Sequence, residues 1–336
     1  MDAGIRLEKL YKTYGMIGGS PPMQILYEMI GKVAASAATV LIVGETGTGK
    51  DLVARAIHRH SDRKDKRFVS VNCAAIPDGL LESELFGHKK GAFTTANYDK
   101  KGLLEAAYGG TVFLNEIGNI PPYLQAKILD ALQDREVRPV GDTENKQINV
   151  RFISATSRDL EDMVSDGTFR EDLFYRLNTI PIYIAPLRER AEDIPLLIAH
   201  FLNMYCEIDK KFVALSPEAI DYLSGLPYPG NVRQLENLVE RAVVIEGIPR
   251  SSNGQQKILG QSDIERLLRY GSNGDSAGVK PLLTLKDVEN QYILKVLKDC
   301  EGHRRRTAET LGISERRLYI LLTRIRKEVA DADTLI

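Results

Sequence analysis

The run Thr39-Val40-Leu41-Ile42-Val43, followed at once by Gly44-Glu45-Thr46-Gly47-Thr48-Gly49-Lys50, restricts the fold more than any other stretch of this chain. A short, unbroken apolar run is the pattern of a strand buried on both faces, as in a parallel sheet. The glycines allow a tight turn, and Leu52, Val53, Ala56 and Ile57 then recur at helical spacing. Strand, turn and helix in that order predict a parallel α/β sheet. The turn fits G-x-x-x-x-G-K, in which backbone N–H groups face phosphate oxygens and Lys50 reaches the β and γ phosphates at a helix N-terminus. The general pattern has Ser or Thr next, as a Mg²⁺ ligand; here the residue is Asp51. Taken alone, the segment also fits a glycine-rich βα turn without catalytic meaning.

Further apolar runs at Phe68 to Val71, Thr111 to Leu114 and Val150 to Ala155 predict more strands, with helical patterns at Gln24 to Ala35 and Tyr123 to Gln133. Residues 16–186 therefore read as one α/β domain, after an N-terminal linker remnant over 1–15. Strand signals vanish over 187–248, which predicts a small helical subdomain. The polar runs Ser251-Ser252-Asn253-Gly254 and Gly271-Ser272-Asn273-Gly274 predict a flexible connector over 249–281, interrupted by a short helix at Asp263 to Leu268. Helical periodicity returns from Leu282, giving a third domain over 282–336.

Two more segments bear on chemistry. Gly110-Thr111-Val112-Phe113-Leu114-Asn115-Glu116 is an apolar strand ending in two polar residues, which places them beside the phosphate loop at the carboxyl edge of the sheet. Glu116 would orient the attacking water. Asn115 stands where an Asp normally helps to hold Mg²⁺; an amide brings no negative charge, so weaker Mg²⁺ retention and slower hydrolysis are expected. The hexapeptide Gly91-Ala92-Phe93-Thr94-Thr95-Ala96 has no place in ordinary ATP chemistry and reads as an exposed loop moved against a partner. Its polar, glycine-flanked setting argues against Phe93 as a core residue.

With these stand Val71-Asn72-Cys73-Ala74-Ala75-Ile76-Pro77, Glu82-Ser83-Glu84-Leu85-Phe86-Gly87-His88, Phe169-Arg170-Glu171-Asp172-Leu173-Phe174-Tyr175-Arg176-Leu177-Asn178, Pro186-Leu187-Arg188-Glu189-Arg190 and Pro229-Gly230-Asn231-Val232-Arg233. Together they resemble the AAA+ domain of bacterial sigma-54-dependent transcriptional activators, over about residues 17–248 and more loosely 282–327. The resemblance implies an AAA+ P-loop NTPase fold with a helical lid, ATP and Mg²⁺ as cofactors, and ATPase activity. Gly44 to Asp51 would be Walker A, where an acidic residue after the Lys is usual in this family, and Asn115-Glu116 Walker B; Mg²⁺ would lie near Asp51 and Asn115. Asn72 would couple Glu116 to the Gly91–Ala96 loop, and Thr156 would be sensor I. Arg170 and Arg176 would be arginine fingers for a neighbouring subunit's site, and Arg233 sensor II. Ile17 and Gly18 would flank the adenine. The hexapeptide would be the loop that contacts sigma-54 in the closed promoter complex, with Thr95 in place of the family's second glycine. Ser157 for the usual Asn looks mild, and Tyr228 for the usual Trp conservative.

Arg306 to Tyr319 reads as helix, turn, helix: Ala308 and Leu311 face inward, Gly312 turns, and Ser314 caps the second helix. Between Gly302 and Lys327 eight basic residues stand against two acidic ones, an excess of six positive charges suited to phosphate contacts. Ser314, Glu315, Arg316, Arg317 and Tyr319 are the candidates near DNA. This part resembles the Fis-type DNA-binding domain that ends many such activators.

Net charge is −1, so local charge alone carries that argument. The three cysteines and five histidines have no metal-ligand or redox spacing. No apolar run is long enough to span a bilayer, and the N-terminus lacks a signal-peptide core, so a cytoplasmic protein is expected. The expected function is an ATP-dependent activator that binds enhancer-like DNA and remodels the sigma-54 RNA polymerase closed complex. It would work as a ring, a hexamer by resemblance, with a dimer as a resting form. The alternative is a nucleotide- and DNA-binding regulator of the same family with weak or absent hydrolysis, motivated by Asn115 and Thr95.

Overall fold

The structure, a computed structural model, describes residues 13–249, 257–271, 297, 303–310, 318 and 322. It divides into two units, 1–270 and 271–336. Five strands build the central sheet: β1 (Val40–Val43), β2 (Phe68–Asn72), β3 (Thr111–Asn115), β4 (Arg151–Thr156) and β5 (Ile180–Tyr183). They run parallel in the order β2-β3-β4-β1-β5. Side chains alternate between the faces. Val112, Leu114 and Phe152 therefore pack with the helices α3 (Asp78–Phe86), α4 (Pro122–Gln133) and α5 (Glu171–Leu177). Phe113, Ile153 and Ile42 pack on the opposite side with α1 (Pro21–Ala34) and α2 (Lys50–Arg59). Every residue of β4 is buried, which is why β4 shows no polar alternation in the sequence. The sheet points its carboxyl edge, where β1, β3 and β4 end, at one crevice.

An insertion follows α3. Gly87–His88 pairs antiparallel with Lys100–Lys101, and the Gly91–Ala96 segment lies between these two short strands.

The lid departs from expectation in two ways. It contains strands: Lys211–Leu215 lies between Ile248–Pro249, antiparallel to it, and Lys257–Leu259, parallel to it. It also extends past residue 248. The segment expected to be a flexible connector contributes Lys257–Leu259 and α8 (Gln261–Gly271), after α6 (Ile194–Asp209) and α7 (Asn231–Glu246). The polar tracts around it hid the signal. Leu259, Ile264 and Leu267 are at most 1% exposed and pack with Leu197, Leu235 and Val239. Three buried side chains outweigh a polar composition, because burial scales with the apolar area removed from water.

In the second unit the helix Arg304–Thr310 is described, and Thr307, Ala308 and Leu318 are buried. Ser314, Glu315, Arg316, Arg317 and Tyr319 lie outside the described residues. Among the described residues no helix is long and apolar enough to cross a membrane.

Candidate active site

The phosphate loop leaves β1 at Gly44 and ends in α2. Gly47 and Gly49 take positive φ, +81° and +102°, which glycine adopts without strain. The Thr48 hydroxyl donates to Glu45 O at 2.8 Å and stiffens the loop. Lys50 is buried, and its Nζ donates to Gly44 O at 2.8 Å and Glu45 O at 3.3 Å. The same ammonium pairs with Glu116 Oε1 at 3.2 Å. Thr46 and Asp51 are exposed on the cleft wall.

Glu116 follows β3 in a left-handed conformation, φ 55°, and its other oxygen accepts the Ser157 hydroxyl at 2.7 Å and the Ser157 N–H at 3.1 Å. Burial alone would raise its pKa, but the Ser157 hydroxyl and the Lys50 charge hold the carboxyl below its ordinary value. Ser157 is therefore more than a mild replacement: it orients Glu116. Asn115 turns its Oδ1 to the Glu116 N–H at 3.1 Å. Asn72 is the register partner of Asn115 on β2, and its Oδ1 accepts the Ala74 N–H at 3.0 Å. Thr156 is buried at the end of β4, where its hydroxyl donates to Arg158 O at 3.0 Å. Beside Asn72, burial pushes the Cys73 thiol up to about 12, so it stays protonated and inert.

The opposite wall comes from the N-terminal strap and the lid. Ile17 and Met23 face Leu197 and Phe201 across a cleft of about 750 Å³, which Arg233 also lines. Asp193 fixes the strap: it accepts Gly19 N–H at 2.7 Å, Ser20 N–H at 2.9 Å and the Ser20 hydroxyl at 2.7 Å. Gly18 has to be glycine, because a Cβ there would meet Asp193 Oδ2 at 2.8 Å. Arg190 is 3% exposed and donates to Thr48 O at 3.2 Å, tying the lid entry to the phosphate loop. Outside it, Arg188 grips Glu45 with two bonds of 2.9 and 2.7 Å. Asp193, Arg190 and Asn231 escaped the sequence reading as site residues. Arg190 and Asn231 stand in the motifs Pro186 to Arg190 and Pro229 to Arg233, whereas nothing local marks Asp193, whose partners Gly19 and Ser20 lie more than 170 residues away.

The donors present suit a nucleoside triphosphate: a buried ammonium, a glycine loop at a helix start and an apolar slot beside it. For Mg²⁺ they are sparser. Asp51 supplies a carboxylate, whereas the Asn115 oxygen already receives an N–H, so the ion would rest chiefly on the phosphates it accompanies.

Arg170 and Arg176 lie away from the cleft of their own chain. Both are exposed; Arg170 forms a bidentate pair with Asp172 at 3.0 and 2.7 Å, and Arg176 donates to Leu132 O at 3.2 Å. The hexapeptide is a compact turn, with Gly91 N–H to Ala96 O and Ala96 N–H to Phe93 O both at 2.9 Å. Phe93 is half-buried outside the core clusters, its ring edge-on to buried His88 at 4.9 Å. Ala92 is half-buried, Thr94 and Thr95 are exposed, and Ala96 is buried.

The chain is similar to known proteins over most of its length. Residues 16–183 match the family model of the sigma-54 interaction domain, 188–276 that of the AAA+ ATPase lid domain, and 284–320 that of bacterial regulatory proteins of the Fis family. The chain is 46% identical over 318 residues to the transcriptional regulatory protein ZraR of Salmonella typhimurium, covering 93% of this chain and 69% of that protein. It is 44% identical over 324 residues to the regulatory protein AtoC of Escherichia coli K12, covering 94% and 68%. Among solved structures, NtrX from Brucella abortus in complex with ATP superimposes with a TM-score of 0.73 at 33% identity, covering 92% of this chain and 69% of that one.

Proposed function

This chain belongs to the family of sigma-54-dependent transcriptional activators, and we propose that it couples ATP hydrolysis between neighbouring copies to movement of the Gly91–Ala96 loop against sigma-54. The single observation that supports this most is the division of the site. Lys50, Glu116 and Arg233 converge on one cleft, while Arg170 and Arg176 are exposed away from it, paired with Asp172 and Leu132 O, and would exchange those partners for the cleft of another copy. An arginine supplied in trans stabilises the charge that develops in phosphoryl transfer. Neighbours in a ring, a hexamer in this reading, would complete each other's sites.

Within one chain, Lys50 would leave Glu116 for the β and γ phosphates when ATP binds. Ser157 then keeps Glu116 oriented as the group that positions the attacking water. Thr156 and Arg233 flank the γ-phosphate, and Asn72 passes the state of Glu116 to the loop. ATP, with the Mg²⁺ it carries, supplies the γ-phosphoryl group whose loss drives the motion. Phe93, resting on His88 at the edge of the hairpin, would be the part of the loop that engages sigma-54. The C-terminal domain would hold enhancer-like DNA through Ser314, Glu315, Arg316, Arg317 and Tyr319.

Asn115 favours a second reading: a nucleotide- and DNA-binding regulator that hydrolyses ATP slowly. Its neutral amide, occupied by the Glu116 N–H, adds no charge for Mg²⁺. Phosphate release with and without Mg²⁺, compared with an Asn115→Asp chain, separates the two. Comparable turnover supports the first reading. Bound ATP without turnover, gained only in Asn115→Asp, supports the second.

A further inference from the structure

Asn231 is the first residue of α7, is completely buried, and sits in the left-handed region at φ 51°. Its side chain ties three segments together. Oδ1 accepts the Leu187 N–H at 2.8 Å, where the lid begins. Nδ2 donates to Glu45 Oε2 at 3.0 Å and to Thr46 O at 3.1 Å, both in the phosphate loop. Arg188 closes the network from outside through Glu45, but that pair is nearly half exposed on both sides, 47% and 41%, and a screened pair of this kind contributes little. The buried amide carries the connection, because cutting its bonds leaves groups without partners.

The network positions something. The start of α7 sits directly on the phosphate loop: the Arg233 N–H points to Gly47 O at 3.4 Å, and a Cβ on Gly47 would lie 2.3 Å from Gly230 O and 3.2 Å from Arg233 Cβ. Arg233 is two residues beyond Asn231 and lines the cleft. Asparagine suits the position twice over. It tolerates positive φ better than most residues, and its amide both donates and accepts, as this junction requires. Aspartate would offer a second carboxylate to Glu45 and no donor.

We propose that Asn231 is a positioning residue that locks the start of α7 to the phosphate loop through Glu45 and Thr46, and so sets where the Arg233 guanidinium stands relative to a bound γ-phosphate. The inference rests on the cleft being an ATP site. It predicts a selective effect: a triphosphate feels the placement of Arg233, whereas a diphosphate, lacking the γ group, does not. General loosening of the fold would weaken both alike.

The test measures binding of ADP and of AMP-PNP, a non-hydrolysable triphosphate, to the full chain by calorimetry. Asn231→Gly accepts the positive φ and removes only the amide, so it separates backbone from side chain. It should weaken AMP-PNP roughly ten-fold and ADP by less than about two-fold. Asn231→Gly combined with Arg233→Ala should be no weaker than Arg233→Ala alone, since both remove one interaction. Glu45→Ala should act in the same direction as Asn231→Gly, and serves as the second probe if a residue-231 variant fails to fold. Equal losses for the two nucleotides, or an Asn231→Gly chain that binds like the parent, would overturn the proposal. A parent chain that binds neither nucleotide would bring down the ATP-site reading first, and the lock with it.

Discussion

Glu116 is held by opposing influences, and that balance gives a pH signature. Burial pushes its carboxyl up, while the Ser157 hydroxyl and Lys50 pull it further down, leaving it below the ordinary 4.5. A depressed carboxylate contributes stability that is present above 4.5 and lost as pH falls through the folded value. Removing the hydroxyl by Ser157→Ala should therefore raise the Glu116 pKa and move the acid limb of the turnover profile to higher pH, as read by phosphate release. An unmoved limb would mean that Ser157 does not hold Glu116. A second residue-scale outcome concerns Gly47. Gly47→Ala places a methyl group into the Gly230 carbonyl and forces alanine into a left-handed conformation, which alone costs on the order of 1–2 kcal/mol. Nucleotide binding should fall and the thermal midpoint should drop by several degrees, about 2–4 °C per kcal/mol for a chain of this size or somewhat less.

At the level of elements, α8 and Lys257–Leu259 belong to the lid core. Leu267→Ala should destabilise by about 2–5 kcal/mol, measured by denaturant unfolding followed in the full chain. An effect below about 0.5 kcal/mol, typical of surface positions, would return the segment to the status of a connector. How far such elements could be read from sequence depended on burial. β1, β3 and β4 were legible because both faces are covered and each carries a short run of apolar residues, even though Thr111, Arg151, Ser154 and Thr156 are polar and buried within them. β5 was not: it lies at the sheet edge, and Pro181 interrupts it, which an edge strand tolerates. Lys211–Leu215 is short and half-buried, too weak a pattern to register. The site divides in the same way. The phosphate loop is contiguous, so Gly44 to Lys50 announces itself. The partners that orient it are far apart along the chain: Ser157 is 41 residues from Glu116, Asp193 is 173 from Ser20, and Asn231 is 186 from Glu45. Only the fold brings such pairs together.

For the molecule as a whole, the central claim is that copies of this chain share ATP sites and use the energy to move the Gly91–Ala96 loop against sigma-54. Sharing predicts complementation. A Lys50→Ala chain and an Arg170→Ala chain, each silent alone, should recover part of their turnover when mixed, because some junctions then join an intact phosphate loop to intact arginines. Mixtures that assemble yet stay silent would make each site self-contained. The loop claim is more direct to test. Open-complex formation by sigma-54 RNA polymerase should require this protein, ATP and Phe93 together. A Phe93→Ala chain is expected to hydrolyse ATP like the parent and yield no open complexes. If Phe93→Ala supports open complexes at the parent level, or the parent forms none under conditions where it turns over ATP, the account is contradicted.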